Sequence, residues 1–334
     1  MTEEDFVSSQ QPDAHRDHEM ILVTGATGFV GRALCAEFDR RGMRYRAVSR
    51  APMAGFHTIG RIDADSDWSA ALTDIETVIH LAARVHVMRE DATDPLAAFR
   101  ATNVDATLQL ARQAAAAGVR RFVFMSSIKV NGEATQPGRP FRATDLPDPQ
   151  EAYGRSKWEA EQALFSLGRQ TGMEIVAIRP PLVYGPGVTA NFASLMQWAG
   201  RGIPLPLGRV NNRRSLVFVG NLVDFIILST SRPEAANRTF LVSDDEDLSI
   251  TALLQRIAKR MNRKARLLPV PSSLLDSVAK MLGKGAAAQR LLGSLQVDIT
   301  ETRHITGWEP PYSVEDGLAR TVDAFLQEQR RPGN

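Results

Sequence analysis

Along the first half of the chain, short apolar runs alternate with stretches whose apolar positions recur at helical spacing. Met20-Ile21-Leu22-Val23-Thr24 is one such run, and Arg32-Ala33-Leu34-Cys35-Ala36-Glu37-Phe38 behind it has the periodicity of a helix. Strands are predicted at 20–24, 44–49, 76–81, 119–125 and 174–179, with helices around 29–41, 96–117 and 151–171. Apolar strands separated by helices form a parallel sheet covered on both faces. The expected class is α/β, a doubly wound parallel sheet. After Pro180 the pattern turns irregular. Residues from about 187–217 and 243–312 are expected to pack as a smaller C-terminal lobe over the C-terminal strand ends, where open α/β sheets bind ligands.

Two motifs give this scaffold a chemistry. Between the first strand and the first helix lies Gly25-Ala26-Thr27-Gly28-Phe29-Val30-Gly31. Glycines there permit a tight turn, approach of the backbone to a pyrophosphate and close helix–strand packing, with phosphate at the helix N-terminus. A strand before and a helix after supply the context that a dinucleotide site requires. Gly25, Thr27, Gly28, Phe29, Val30 and Gly31 are its candidates. The chain then divides into a disordered tail over 1–19, a Rossmann-type dinucleotide-binding domain over 20–180, and a mainly substrate-binding lobe over 181–330 with segments returning to the first domain.

The second motif is Tyr153-Gly154-Arg155-Ser156-Lys157, opening a helix behind Pro147 and Pro149. Residues four apart share a helical face, about 6 Å apart along the axis. The helix dipole and the Lys157 ammonium both favour phenolate at Tyr153, lowering a group that ordinarily titrates near ~10. Such a phenol can give and take a proton at neutral pH.

Together these motifs resemble the short-chain dehydrogenase/reductase superfamily, in its extended branch of nucleotide-sugar epimerases, dehydratases and reductases. The resemblance runs from about Met20 to about Gln327. It takes in Val78-Ile79-His80-Leu81-Ala82-Ala83, Asn103-Val104-Asp105-Ala106-Thr107, Phe122-Val123-Phe124-Met125-Ser126-Ser127, Arg179-Pro180-Pro181-Leu182-Val183-Tyr184-Gly185-Pro186-Gly187 and Gly307-Trp308-Glu309-Pro310, in family order. It implies a catalytic set of Ser127, Tyr153 and Lys157: Tyr153 moves the proton of a sugar oxygen, Ser127 hydrogen-bonds that oxygen, and Lys157 holds the nicotinamide ribose. It adds Leu81, Ala82, Ala83, Asn103 and Pro180 to the cofactor site, Asn103 supporting backbone and a water near Lys157.

Composition excludes other classes. A chain of 334 residues with 43% hydrophobic content is long enough for a large core. Its net charge of +2 implies neither a nucleic-acid surface nor an acidic partner. One cysteine, Cys35, rules out an internal disulfide and fits a reducing, cytoplasmic setting, where it reads as a small buried hydrophobe. No apolar run approaches the ~20 residues of a membrane span, and the polar N-terminus has no apolar signal core. His15 and His18 read as exposed tail histidines, so no metal is expected.

The expected cofactor is NADP(H), with NAD(H) the other choice. Ser49 ends the second strand where relatives carry a carboxylate for the adenosine ribose, and Arg50 beside it can hold a 2′-phosphate. Arg61 stands where relatives have the adenine-contacting Asp, a contact that Asp63 is expected to replace.

The reaction narrows around Ser127. Dehydratases of this branch have Thr-Asp-Glu where this chain has Ser127-Ile128-Lys129, so the carboxylates of β-elimination are missing. The Cys and His of 3,5-epimerising members are missing too. Hydride transfer at C4 remains. For the substrate, expected to be UDP-linked, Arg214 matches the family's diphosphate arginine, with Arg213, Asn191, Lys129 and Ser127 as further contacts. Residues 265–292 mix Leu, Met, Lys and Arg; their expected use is to cover the substrate lobe, and contact with lipid would make a polyprenyl-diphosphate sugar a substrate. A 4-ketosugar reductase and a 4-epimerase share this machinery. Residues 81–88 and 126–132 look closest to reductases of UDP-linked 4-keto-6-deoxy-N-acetylhexoses in O-antigen pathways, and Arg50 suits a dissociable NADP(H), so reductase is the expectation and epimerase the alternative. A non-catalytic, cofactor-binding regulator would not need Tyr153, Lys157 and Ser127 intact. A homodimer is expected through the helices at 96–117 and 151–171, on account of Leu108, Leu110, Ala114, Trp158, Leu164 and Phe165.

Overall fold

The computed structural model describes residues 19–85, 94–283 and 285–330, with the side chains of residues 190, 191, 286 and 287 outside the description. The tail over 1–18, and His86, Val87 and Met88 of the reductase-like string, lie outside the described residues.

Nine strands are described: β1 (Ile21–Thr24), β2 (Tyr45–Ser49), β3 (His57–Thr58), β4 (Thr77–His80), β5 (Arg121–Met125), β6 (Glu174–Arg179), β7 (Leu182–Tyr184), β8 (Leu216–Phe218) and β9 (Arg238–Leu241). Seven form one parallel sheet in the order β3-β2-β1-β4-β5-β6-β9, and β7 pairs with β8 apart from it. The order reverses between β1 and β4, which opens a crevice at their C-terminal ends. The apolar runs are buried because both sheet faces are covered. Leu22, Val78, Phe122 and Ile175 face one core, and Ile21, Val23, Ile79 and Val176 face the other.

On the first face lie α2 (Ser69–Leu72), α3 (Pro95–Arg100), α4 (Ala106–Ala116) and α5 (Ala152–Thr171). The helix predicted over 96–117 is broken by a π-helical turn at Ala101–Asp105. Asp94 caps α3 by accepting the Ala97 N–H at 3.0 Å, and Gly172 in the left-handed region stops α5. Leu110, Ala114 and Leu164 are fully buried against the sheet, which corrects their assignment to an outer, dimer-forming face. A periodic apolar position points to the sheet as readily as away from it. Leu108, Trp158 and Phe165 remain partly exposed.

The opposite face carries α1 (Phe29–Arg41) and α7 (Val219–Ser231). Thus α7 and β9 are the segments of the second half that return to the sheet. The remaining helices are α6 (Ala190–Arg201), α8 (Ile250–Arg260), α9 (Ser272–Met281), α10 (Gly285–Leu292), α11 (Thr300–Thr306) and α12 (Val314–Arg330). Glu19, expected to belong to the tail, is anchored: it pairs with Arg120 at 3.3 Å and accepts a hydrogen bond from Thr77. Among the described residues, no helix is long and apolar enough to cross a membrane.

Candidate active site

The crevice at the sheet's reversal is built around glycine. Gly25 has φ +68°, and a Cβ there would stand 2.7 Å from the Ala82 nitrogen. A Cβ on Gly31 would stand 2.2 Å from the Gly25 carbonyl oxygen, so only glycine lets α1 close on the loop. Gly28 caps α1 with no side-chain hydrogen bond, leaving the first-turn N–H groups without a side-chain acceptor. That cradle fits a pyrophosphate. Thr27 gives its carbonyl to the Arg32 guanidinium at 2.7 Å, while Phe29 and Val30 pack against the core.

Across the crevice, Leu81, Ala82 and Ala83 follow β4. Thr24 Oγ1 accepts the Ala82 N–H at 3.3 Å and lies 2.8 Å from His80 Nδ1, whose Nε2 lies 3.0 Å from the Thr107 hydroxyl. Burial, and then the Lys157 charge, push His80 down to about 3, so it is a neutral strut between β1 and α4. Asn103, fully buried in the π-helical turn, accepts the Arg84 N–H at 2.8 Å and donates to the Arg84 carbonyl and to Ser156 Oγ.

The candidate reacting groups meet where β5 gives way to a short 3₁₀ turn at Ile128–Val130. Ser127 caps that turn, accepting the Lys129 N–H at 3.2 Å, and its hydroxyl shares a hydrogen bond with Tyr153 on the first turn of α5. Pro180 holds the same turn by accepting the Ile128 N–H at 3.0 Å. Beneath it, Arg179 meets Glu161 at 2.9 and 2.5 Å and donates to Asn131 at 3.0 Å, while Ser126 donates to Glu161. Lys157 donates to the Met125 carbonyl at 2.8 Å and lies 4.4 Å from the Phe124 ring centroid.

Electrostatically, the expectation of a lowered Tyr153 is reversed. Burial pushes its phenol up to about 12, with the Ser127 hydrogen bond pulling down against it. Lys157 is itself pushed down by burial to about 7, with Glu161 opposing, and no effect of its charge on the phenol is resolved. Burial is the leading cause of both shifts, and each group resists ionisation.

Charged side chains gather on the substrate side. Lys129 pairs with Glu133 and lies 3.9 Å from Glu151, the residue that caps α5 two positions before Tyr153. Glu151 also pairs with Arg290 of α10. Arg214 donates through Nη1 to the carbonyls of Arg290 and Gly293, at 2.8 and 3.0 Å. Burial lowers its pKa, and no carboxylate pairs with it among the described residues. Arg213 is exposed, and only its backbone is fixed, by Ser294 Oγ at 3.0 Å. Asn191 is the second residue of α6, behind the cap at Thr189; its side chain lies outside the described residues.

Comparison with known proteins agrees with this arrangement. Residues 21–243 match the model of the NAD dependent epimerase/dehydratase family. The chain belongs to that family. A UDP-glucose 4-epimerase of Vibrio cholerae is 43% identical over 318 residues, covering 93% of this chain and 97% of the relative. An N-acetyl-α-D-glucosaminyl-diphospho-ditrans,octacis-undecaprenol 4-epimerase of Escherichia coli O157:H7 is 27% identical, covering 91% of this chain and 95% of its own. Among solved structures, MoeE5 in complex with UDP-glucose and NAD is 25% identical with a TM-score of 0.74, covering 92% and 99% of the two chains. The Thermotoga maritima UDP-glucose 4-epimerase, at 22% identity, has the same fold, with a TM-score of 0.74 over 93% of this chain. This member of the family is an extended short-chain dehydrogenase/reductase enzyme.

The residues expected on the adenosine side make local contacts. Ser49 is buried and donates to the Ala51 carbonyl at 2.6 Å, while Arg50 is exposed behind it. Asp63 is occupied locally: it pairs with Arg61 at 2.9 Å and accepts from Ser66 and the Asp65 N–H. Glu133, Glu151, Glu161 and Arg290 were not singled out in the sequence. Glu161 stands four residues after Lys157 on one helical face, and Glu133 four after Lys129. Cys35, expected as a small buried hydrophobe, is half-buried, and burial and then Asp39 push its thiol up to about 11. A cleft of about 370 Å³ lined by Gln197, Arg201, Arg263, Phe325 and Arg330 shares no residue with the site.

Proposed function

We propose that this enzyme is a nucleotide-sugar 4-epimerase acting on a UDP-linked hexose and retaining NAD through its cycle, in place of the expected NADP(H)-dependent C4 reductase. The observation that carries the reading is 43% identity, along 93% of the chain, to a UDP-glucose 4-epimerase. MoeE5, similar over its whole length, holds UDP-glucose and NAD together. Ser49 in the carboxylate's place and the exposed Arg50 spoke for NADP(H), and those two residues do not outweigh these likenesses.

Bound NAD supplies the acceptor and donor of hydride at C4. Gly25, Thr27, Gly28, Phe29, Val30 and Gly31 would hold its pyrophosphate, with Leu81, Ala82, Ala83, Asn103 and Pro180 around the rest. Tyr153, once ionised to phenolate, would take the C4 hydroxyl proton and later return it, with Ser127 hydrogen-bonded to the same oxygen. Lys157, on the same helical face, meets the ribose hydroxyls. Ile128 and Lys129 leave no carboxylate for elimination, so the 4-keto sugar is turned over and reduced rather than dehydrated. Arg214, a half-buried cation, suits the substrate diphosphate, and Arg213 and Asn191 are further candidates.

Incubation of the purified protein with UDP-glucose or UDP-GlcNAc, without added cofactor, should yield the C4 epimer by NMR. NADPH consumption with a UDP-4-keto-6-deoxy sugar, and no epimer from either hexose, would return the reductase. The same reading includes a homodimer across α4 and α5, for which Leu108, Trp158 and Phe165 retain partly exposed apolar surface. A monomeric mass by light scattering at micromolar concentration counts against it.

A further inference from the structure

Helix α9 differs from the other long helices in having no buried residue. Leu275 on its inner side packs against the core, yet Leu274, Val278, Met281 and Leu282 are 55%, 46%, 85% and 66% exposed. Spacings of four and three place Leu274, Val278 and Met281 on a single helical face, and Leu282 follows at the end of the helix. An aliphatic stripe turned to water in this way marks a contact surface. Leu268, on the segment leading into α9, is half exposed, and its N–H donates to Leu205 at 2.7 Å, close in sequence to the exposed Ile203.

Charge selects the occupant. Residues 261–292 hold six lysines and arginines (Arg263, Lys264, Arg266, Lys280, Lys284 and Arg290) against one acid, Asp276. That excess exceeds the net +2 of the whole chain. Asp276 pairs with Lys280 at 2.6 Å and Arg290 with Glu151, so among the described residues the exposed Arg263, Lys264 and Arg266, on the segment leading into α9, carry the excess. A two-fold contact between copies would lay this basic surface on itself. A surface of anionic lipid headgroups pairs the cations and receives the aliphatic stripe at once.

The patch is joined directly to the candidate diphosphate site. Helix α9 packs on α10, whose last turn carries Arg290. The Arg290 carbonyl accepts from Arg214, Asn212 donates to the Leu291 and Gly293 carbonyls, and the Arg290 guanidinium pairs with Glu151 at the start of the Tyr153 helix. We infer that the α9–α10 hairpin docks on an anionic membrane surface and presents the C4 site to a sugar carried on a lipid diphosphate. The second half of this inference rests on the 4-epimerase reading; the first half does not. Docking needs no membrane span, in keeping with the absence of a spanning helix among the described residues.

The test uses the full chain with extruded vesicles of phosphatidylcholine, alone or with 30% phosphatidylglycerol as ~30 mol% probe composition. Co-sedimentation is expected with the anionic vesicles only, falling at least tenfold in Val278→Glu and Leu274→Glu and at high salt. Those variants change exposed residues outside the reacting groups, so turnover of a soluble UDP-sugar should stay within about twofold. Sedimentation unchanged in both variants, or none with anionic vesicles at low salt, overturns the docking. So does a doubling of mass in solution that Val278→Glu abolishes. Vesicle-borne polyprenyl-diphosphate N-acetylhexosamine is the probe for the substrate: epimerisation that the variants slow supports it, and turnover of UDP-sugars alone overturns that half. Loss of all epimerase activity with vesicle binding intact would instead reject the function proposed above.

Discussion

Arg179 and Glu161 form a bidentate ion pair with 3% and 1% of their side chains exposed, joining the end of β6 to the middle of α5. Ser126 and Asn131 complete it, so the strand end that carries Ser127 is fixed from below by charge-assisted hydrogen bonds. Glu161 also opposes the loss of the Lys157 proton. Glu161→Gln leaves a buried guanidinium without its counter-charge, and unfolding free energy should fall by about 3–5 kcal/mol, read from urea denaturation. A loss below about 1 kcal/mol would mean that the pair contributes little to holding the site.

Tyr153→Phe removes one hydroxyl and the hydrogen bond it shares with Ser127. The ring keeps its edge contact with Phe99, 6.0 Å between centroids, so folding and NAD binding should persist. Turnover should drop by roughly two to four orders of magnitude. Near-normal turnover would remove Tyr153 from the proton transfer.

The parallel sheet was legible because its strands are uninterrupted apolar runs, and five of the seven stand within a residue or two of the predicted spans. β3 and β9 were not, because two residues at one edge and Arg238–Leu241 at the other lack such a run. The Gly25–Gly31 loop and the Tyr153–Lys157 pair were legible as local motifs, since each acts over a few residues. The Glu151–Arg290 pair was not: its partners lie 139 residues apart, and only the packing of α10 against the start of α5 unites them. The sign of the Tyr153 shift was misread for a related reason. Sequence reveals the helix dipole and the nearby lysine, but burial, the dominant influence, depends on the tertiary fold.

Lys157 gives the pH dependence a definite direction. Its folded pKa of about 7 lies below that of a free lysine, mainly through burial. Between about pH 7 and about 10.4 the unfolded chain therefore binds the extra proton, and this group's contribution to stability rises with pH across that window. Lys157→Met removes the titration. Its melting temperature relative to the parent should be highest at pH 6 and should decline toward pH 9.5, measured without added nucleotide. Parallel curves for the two proteins would place the ammonium in a better-solvated setting than its contacts with Met125 and Phe124 imply.

Arg214 carries the assignment of the substrate end. Its Nη1 is held by the Arg290 and Gly293 carbonyls, burial works against its charge, and no carboxylate pairs with it among the described residues. A half-buried cation in that setting gains from an anionic ligand, and guanidinium matches a diphosphate in geometry. Arg214→Ala should weaken the UDP-sugar by roughly 1.5–3 kcal/mol, a rise of about 10- to 150-fold in KM, while NAD affinity stays unchanged. Glu151→Gln should act in the opposite direction. It frees Arg290 from an ion pair that is half exposed on the arginine side, so the gain is small, a fall in KM of about two- to fivefold. Isothermal titration with UDP and steady-state kinetics separate the two effects. If Arg214→Ala instead weakens NAD and UDP-sugar alike, the arginine is supporting the lobe through α10 rather than meeting the diphosphate.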